Sequence, residues 1–359
     1  MNRELIDKHD IQTMLTADLP ALILAPMDGV IDFAMRAVQS EIGAFTYTVS
    51  EFVRISSEIP PPKQFLRYVP ELRNGGLTPG GLPVQVQILG GDPDRMAASA
   101  VVACNAGAKA IDINFGCPAP TVNRHDGGAS LLKYPTRIRA VVAAVRAAVP
   151  AEFPVSAKMR LGWDSIDSIY ENAEMAAEGG ASWLTIHGRT RMEGYKPPAH
   201  WEPIGLVRER VGIPVVANGD IWSIQDFRRC REVTGCRHFM LGRGALANPL
   251  LSHQIAHELG ILRTESFTDQ IDERTEFNNE LTDASSGKSE DWACEWIFRL
   301  QSLVHFMRVA ENTVPAQTVP RLKQWLKMAS LYGGFTGFES IKRAQTVDEL
   351  FLCLRNAAV

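Results

Sequence analysis

From Ala21 to Leu241 the chain alternates, eight times over, between a short apolar run and a longer stretch with helical spacing. The runs cover 21–25, 45–53, 84–89, 110–116, 154–160, 182–187, 213–218 and 238–241. Most of them stop at Gly, Pro, Asn or Asp. The helical segments between them read as 33–42, 93–106, 135–149, 166–178, 201–211 and 224–233, and a Pro/Gly-rich excursion fills 59–81. Continuous apolar runs are the mark of strands buried on both faces. Strand–helix alternation makes each helix a crossover between parallel strands. A doubly wound sheet usually has fewer strands, whereas eight βα units in about 250 residues have the size of a closed barrel. The expected fold is therefore α/β, a (β/α)8 TIM barrel over 19–255, preceded by a polar lead at 1–18.

Beyond residue 250 the strand pattern stops. An acidic stretch at 262–291 leads to two segments of helical spacing, 292–309 and 320–331, so a small all-helical domain is expected over 256–359. Its second helix carries Arg321, Lys323 and Lys327 near Trp325, the composition of a phosphate grip. Lys323 and Lys327 stand four apart and share a face, while Trp325 suits a core position.

A net charge of −4 excludes a generally basic nucleic-acid coat but not a local basic surface. The six cysteines are scattered without a C-x-x-C pair, as in a reduced cytosolic protein. Met1 to Asp10 lacks the apolar centre of a signal peptide, and no apolar run approaches the ~18 residues of a membrane helix. A cytoplasmic protein with no membrane partner is expected. No metal is expected either, because His253 and His257 lack the His-Glu start of a zinc-protease helix.

The polar residues of the barrel segment fall at corresponding places. Asp28, Gln87, Asn114, Cys117, Lys158, His187, Asn218 and Arg243 lie at or near the carboxyl ends of strands, where barrel active sites are assembled. Ile111, Ile113 and Phe115 alternate with Asp112 and Asn114, a strand running into a turn, and Gly116 and Pro118 bracket Cys117 where it ends. Asn218-Gly219-Asp220 and Gly242-Arg243-Gly244 occupy the last two βα turns, a common phosphate site in barrels. The G-x-G-x-x-A spelling of 242–247 is no dinucleotide fingerprint, since it follows the eighth strand rather than the first. Lysine is rarely buried unpaired, so Lys158 should face an anionic or electron-rich ligand. The chemistry in view is a phosphate-bearing cofactor, a lysine beside it and a thiol acid or nucleophile.

Ala25-Pro26-Met27-Asp28-Gly29, Gln87-Ile88-Leu89-Gly90, Asn114-Phe115-Gly116-Cys117-Pro118, Lys158 to Asp164, His187-Gly188-Arg189-Thr190, Ala217 to Ile221 and Gly242-Arg243-Gly244-Ala245 follow one another through the barrel. In these motifs the chain resembles the tRNA-dihydrouridine synthases, FMN enzymes that reduce uridine in tRNA, and most of all their bacterial subfamily C. The resemblance implies FMN contacts from Pro26, Met27, Asp28, Gln87, Lys158, His187, Asn218, Gly219, Asp220, Gly242 and Arg243. It makes Cys117 the general acid for C5 of uracil, gives Asn114 the uracil to hold, and names NADPH as reductant. It implies tRNA as partner, a monomer, and position 16 of the D-loop as target, chosen by the helical domain through Arg321, Lys323 and Lys327. Deleting 260–359 should then abolish tRNA modification and spare flavin reduction. Two other readings are a flavin barrel acting on a small free pyrimidine and a non-catalytic flavoprotein or RNA-binding module.

Overall fold

The sheet closes because the first strand, β1 (Ala21–Leu24), pairs with β2 (Tyr47–Val49) on one side and with the last strand, β9 (His238–Leu241), on the other. From β9 the parallel ladder runs back through β8 (Val215–Asn218), β7 (Leu184–His187), β6 (Val155–Arg160), β5 (Ile111–Phe115) and β4 (Val84–Leu89), and β4 returns to β2. The result is an eight-stranded parallel (β/α)8 barrel. The computed structural model describes residues 14–15, 19–124, 126–248, 250–261, 289–310 and 315–357. Nearly all of the lead and most of the acidic stretch expected at 262–291 lie outside the described residues.

The run expected at 45–53 splits. Ser50 breaks it: the Gln87 backbone N–H, which would otherwise continue the ladder, donates to Ser50 Oγ at 3.0 Å. The chain resumes as β3 (Val53–Arg54), a short addition to the outer side of β4. The Pro/Gly-rich excursion also holds structure, α2 (Pro62–Tyr68) and a 3-10 turn over Pro70–Asn74. Proline at the first helical position costs nothing there, because that N–H has no intrahelical partner. Glu71 of the turn reaches Arg36 of α1 (Phe33–Ile42) in an ion pair at 2.7 Å whose side chains are 0% exposed. Burial would make either charge costly alone, so each needs the other.

The remaining crossovers are α3 (Pro93–Asn105), α5 (Pro135–Ala148), α6 (Ile169–Glu178), α7 (Glu202–Arg210) and α8 (Ile224–Thr234), with a short α4 (Pro120–Asn123) after β5. Their starts follow local rules. Asp92 accepts from Arg95 N, and Ser223 with Asp226 forms a capping box. Alternation sorts each strand: Leu22 and Leu24 pack outward against helices, while Ala21, Ile23 and Ala25 join Tyr47, Val49, Trp183, Val216 and Met240 inside. Met14 packs into this inner cluster from below the first strand.

After β9 come α9 (Arg243–Ala247) and α10 (Leu251–Glu258), then α11 (Ser289–Val309), α12 (Thr318–Tyr332), α13 (Phe338–Ile341) and α14 (Val347–Ala357). These helices share one apolar core with the barrel's outer layer, and α11 lies on α1 while α12 lies on α9. Trp325 is buried as the sequence suggests; its indole N–H donates to Leu246 O at 3.0 Å. At the end of α12, a Cβ on Gly333 would stand 1.7 Å from Ala247 O, so only glycine seats there. Among the described residues no helix is long and apolar enough to cross a membrane.

Candidate active site

The carboxyl ends of the strands open into a cavity of about 610 Å³. Every strand-end residue singled out above lines it: Pro26, Met27, Asp28, Gln87, Asn114, Cys117, Lys158, His187, Asn218, Gly219, Asp220, Gly242 and Arg243. Strand register does this. Asn114 is level with Lys158, and His187 with Asn218, so their inward side chains share a layer.

Cys117 is fixed from two sides. Asn114 Oδ1 accepts from Gly116 N at 2.8 Å and Cys117 N at 2.9 Å, folding the strand end into a tight turn. The Cys117 carbonyl accepts from Ala129 N at 3.2 Å and Asn123 Nδ2 at 3.3 Å. Gly128 at φ +60 permits that approach, since a Cβ there would lie 3.2 Å from Cys117 Cβ. Burial pushes the half-buried Cys117 thiol up and Asp28 adds to this, against smaller opposing effects of a backbone N–H, Arg160 and Arg54. The thiol is therefore protonated at neutral pH, the state of an acid rather than of a thiolate nucleophile.

On β6, next to the strand that carries the Cys117 turn, Lys158 Nζ donates to Asn218 Oδ1 at 3.0 Å, and Asn218 Nδ2 donates to Met240 O at 2.8 Å. Lysine carries three donors, so two remain for a ligand. Burial and the nearby Arg160 lower the Lys158 pKa, with Asp112 opposing. His187 is held well below the usual histidine range by burial and by Arg160, Lys158, Arg189 and Arg243 around it, so it is neutral. Its Nδ1 is buried with no hydrogen-bond partner among the described residues. Gly219, at φ +121, stands beside that ring: a Cβ there would be 3.2 Å from Ala199 Cβ and 3.6 Å from His187 Nε2.

Asp220 is divided between scaffold and site. Oδ2 accepts from Arg189 and from Ala199 N at 3.0 Å, while Oδ1 has no hydrogen bond and lies 3.7 Å from Arg243. The Arg243 guanidinium is ringed by Tyr195 at 5.1 Å, Trp222 at 4.9 Å and Tyr332 at 5.3 Å, and Trp222 stacks on Tyr332 at 4.4 Å. Tyr332 ends α12, so the cage bridges the barrel and the C-terminal helices.

The three basic residues of α12 are not brought to the cavity. Arg321 donates to Gly29 O at 2.9 Å and to Val30 O, and pairs with Asp32 at 3.2 Å, with its side chain 10% exposed. Lys323 Nζ donates to Lys342 O at 2.7 Å and Ala344 O at 2.6 Å. Lys327 sits over the Phe338 ring at 4.6 Å. The first two charges are engaged by carbonyls and a carboxylate of their own chain. Asn114 is likewise engaged, with its oxygen in the Cys117 turn and one N–H given to Gln87 Oε1 at 2.8 Å, which leaves one N–H for a base.

Sequence reading passed over several residues of the site, Trp222 among them. Asp112 is 2% exposed inside the barrel and accepts from Gln87 Nε2 at 2.7 Å and from Ser156 Oγ. A carboxylate on the Asn114 face of a strand was visible signal. Arg160 ties the Cys117 turn to the loop after β7, donating to Gly116 O at 2.8 Å and Gly194 O at 2.8 Å. Tyr195 of that loop and Met328 of α12 also line the cavity, and no local pattern marks either.

The model of the family described as "Dihydrouridine synthase (Dus)" matches residues 23–296. The chain is 43% identical over 345 residues to the tRNA-dihydrouridine(16) synthase of Neisseria meningitidis serogroup B, covering 95% of this chain and 96% of that protein. It is 43% identical over 308 residues to the enzyme of the same name from Pseudomonas putida, covering 86% and 87%. Among solved structures, histamine dehydrogenase from Rhizobium sp. 4-9 superposes with a TM-score of 0.53 at 17% identity, over 70% of this chain and 48% of that one, a likeness of fold. A family match across the whole barrel, with relatives of this identity along nearly the full chain, settles the lineage: the chain belongs to the dihydrouridine synthase family.

Proposed function

We propose that the chain is an FMN-dependent, NADPH-reduced tRNA-dihydrouridine synthase acting on uridine 16 of the D-loop. The observation that carries the chemistry is Cys117, a protonated thiol locked on a turn at the mouth of a cavity that Lys158, neutral His187 and Arg243 also line. The names of the full-length relatives support the substrate and the position.

The wall residues fit FMN. The His187 Nδ1 and the two further donors of Lys158 suit the electron-rich edge of an isoalloxazine. Arg243 beside Gly242 and Gly244 suits the phosphate, and Pro26, Met27, Asp28, Gln87, Asn218 and Asp220 complete the lining. When bound and reduced, FMN supplies hydride for C6 of uracil.

The chain's own residues do the rest. The target uridine leaves its stack to enter, as bases modified in folded RNA do. Asn114 offers its remaining N–H to the base. Cys117 Sγ–H delivers the proton to C5, so the double bond gains one hydride and one proton, and the resulting thiolate is reprotonated from solvent. Arg160 keeps the Cys117 turn and the loop carrying Tyr195 in register while this happens.

The test is to express the chain in a strain lacking its own synthases and to map dihydrouridine in the tRNA. Dihydrouridine at position 16 is expected. Modification of 17 or 20 with 16 intact overturns the position and keeps the mechanism. Turnover of free uridine with tRNA untouched moves the reading to a small-pyrimidine reductase.

A further inference from the structure

Four side chains inside the barrel form a chain of hydrogen bonds that has a direction. Asp112 takes Ser156 Oγ on one oxygen and Gln87 Nε2 on the other. Gln87 Oε1 takes Asn114 Nδ2, and Asn114 Oδ1 takes both N–H groups of the Cys117 turn. An ionised carboxylate only accepts. The carboxylate sets Gln87 with NH₂ inward and C=O outward, and the two backbone N–H groups of the turn set Asn114 the same way, so the relay is anchored at both ends. Only in that orientation does Asn114 present an oxygen to Gly116 N and Cys117 N.

Asp112 also offsets part of the cost of burying the Lys158 charge, and with Ser156 and Gln85 it makes a polar patch in an otherwise apolar interior. Elsewhere in the barrel interior, Ile23, Val49 and Val216 are apolar and buried. An apolar residue at 112 would avoid the desolvation of a charge, and Lys158 is near enough to feel that charge without bonding it.

We infer that Asp112 is a positioning residue for the reduction, acting through Gln87 and Asn114 on the turn that carries Cys117. The inference deepens the function proposed above and rests on it. With Asp112 ionised, the two amides are held in one orientation and the thiol in one place. With an amide at 112 the charge-assisted bond to Gln87 becomes a neutral one, and the relay keeps its polarity but loses the stiffness of its inner anchor.

The experiment compares Asp112→Asn with wild type in the FMN-loaded enzyme. Flavin content is read by absorbance, dihydrouridine formation by single-turnover and steady-state rates, and Cys117 by peptide-resolved alkylation with iodoacetamide. The expected result is unchanged flavin content, unchanged KM for tRNA, and kcat lower by roughly ten- to a hundredfold, the scale of an ångström-size misplacement. Cys117 should alkylate at a changed rate while Cys104 and Cys353 do not. A second variant, Ser156→Ala, removes one of the two hydrogen bonds to Asp112 without touching the cavity lining, and should lower kcat in the same sense by a smaller factor. If Asp112→Asn does not fold, Ser156→Ala is measured in its place, and a kcat lowered more than twofold with KM and flavin content kept supports the relay. A measured variant within twofold of wild type in kcat and alkylation overturns it. Wild-type enzyme that makes no dihydrouridine overturns the proposed function instead, and the alkylation comparison still decides the relay.

Discussion

The mouth of the barrel and the exposed face of α12 both carry polar side chains that the sequence marks as functional, and the structure treats them in opposite ways. At the mouth, thirteen residues from 26 to 243 line one cavity, several with unused donors or acceptors. On α12, Arg321 and Lys323 are committed to carbonyls of their own chain and Lys327 to an aromatic ring. A strand end fixes where a side chain goes, because register and alternation leave one inward direction. A helix surface fixes only which residues are neighbours; what covers them is decided by packing between segments distant in sequence. Clustering of charge on a helix is thus weaker evidence of a ligand than clustering of polar residues at strand ends.

The comparison breaks most visibly if the helical part is removed. Deleting 289–359 strips Trp325 from Leu246 and Tyr332 from Arg243, uncovering the apolar side of α9 that supports the turn at 242–244. The expected outcome, read by flavin absorbance and size-exclusion, is an aggregating protein without flavin. This differs from the spared flavin reduction that the sequence suggests, and a soluble yellow barrel would restore that expectation. Next in size, Cys117→Ala should lower dihydrouridine formation by ~10²–10⁴ with flavin content and tRNA affinity kept. In the wild type the raised thiol pKa keeps the acid loaded, so the rate should fall only on the alkaline side, above the ordinary thiol value of about 8.5.

Arg243→Ala should weaken FMN binding through lost charge-assisted bonds worth roughly 1.5–3 kcal/mol, measured by flavin titration. Lys158 sharpens this. Its pKa is lowered, so its charge is lost as pH rises before the usual lysine value near 10.4, and FMN affinity should decline over that rise. The smallest effects belong to α12. Arg321→Ala should reduce thermal stability by about 1–3 kcal/mol and Lys327→Gln by about 0.5–1 kcal/mol, while the salt dependence of tRNA binding stays put. A slope reduced by about one for either variant would return that residue to the RNA interface.

The barrel was legible because its signals are periodic. Alternation at 111–115 assigned the inner face that Asp112 and Asn114 occupy, and expected strand bounds moved by only a residue or two at most ends. Where the reading failed, a side chain had intervened: Ser50 took a ladder N–H and split a strand, and prolines that look like loop began α2. Within the site, the strand-end residues that line the cavity could be read directly. The partners of Asn114, Asp220 and Arg321 could not, because each depends on a residue far along the chain.

The docking of α12 on α9 also bears on how the protein is made. A ribosome releases the last barrel strand at Leu241, yet the turn that follows is braced by Trp325, Tyr332 and Gly333. While the intervening residues are being added, the emerging barrel has all of its strands and no lid over its final helix. The nascent chain must therefore hold an apolar face in the open until α12 leaves the exit tunnel, which makes that interval the natural moment for a chaperone to bind.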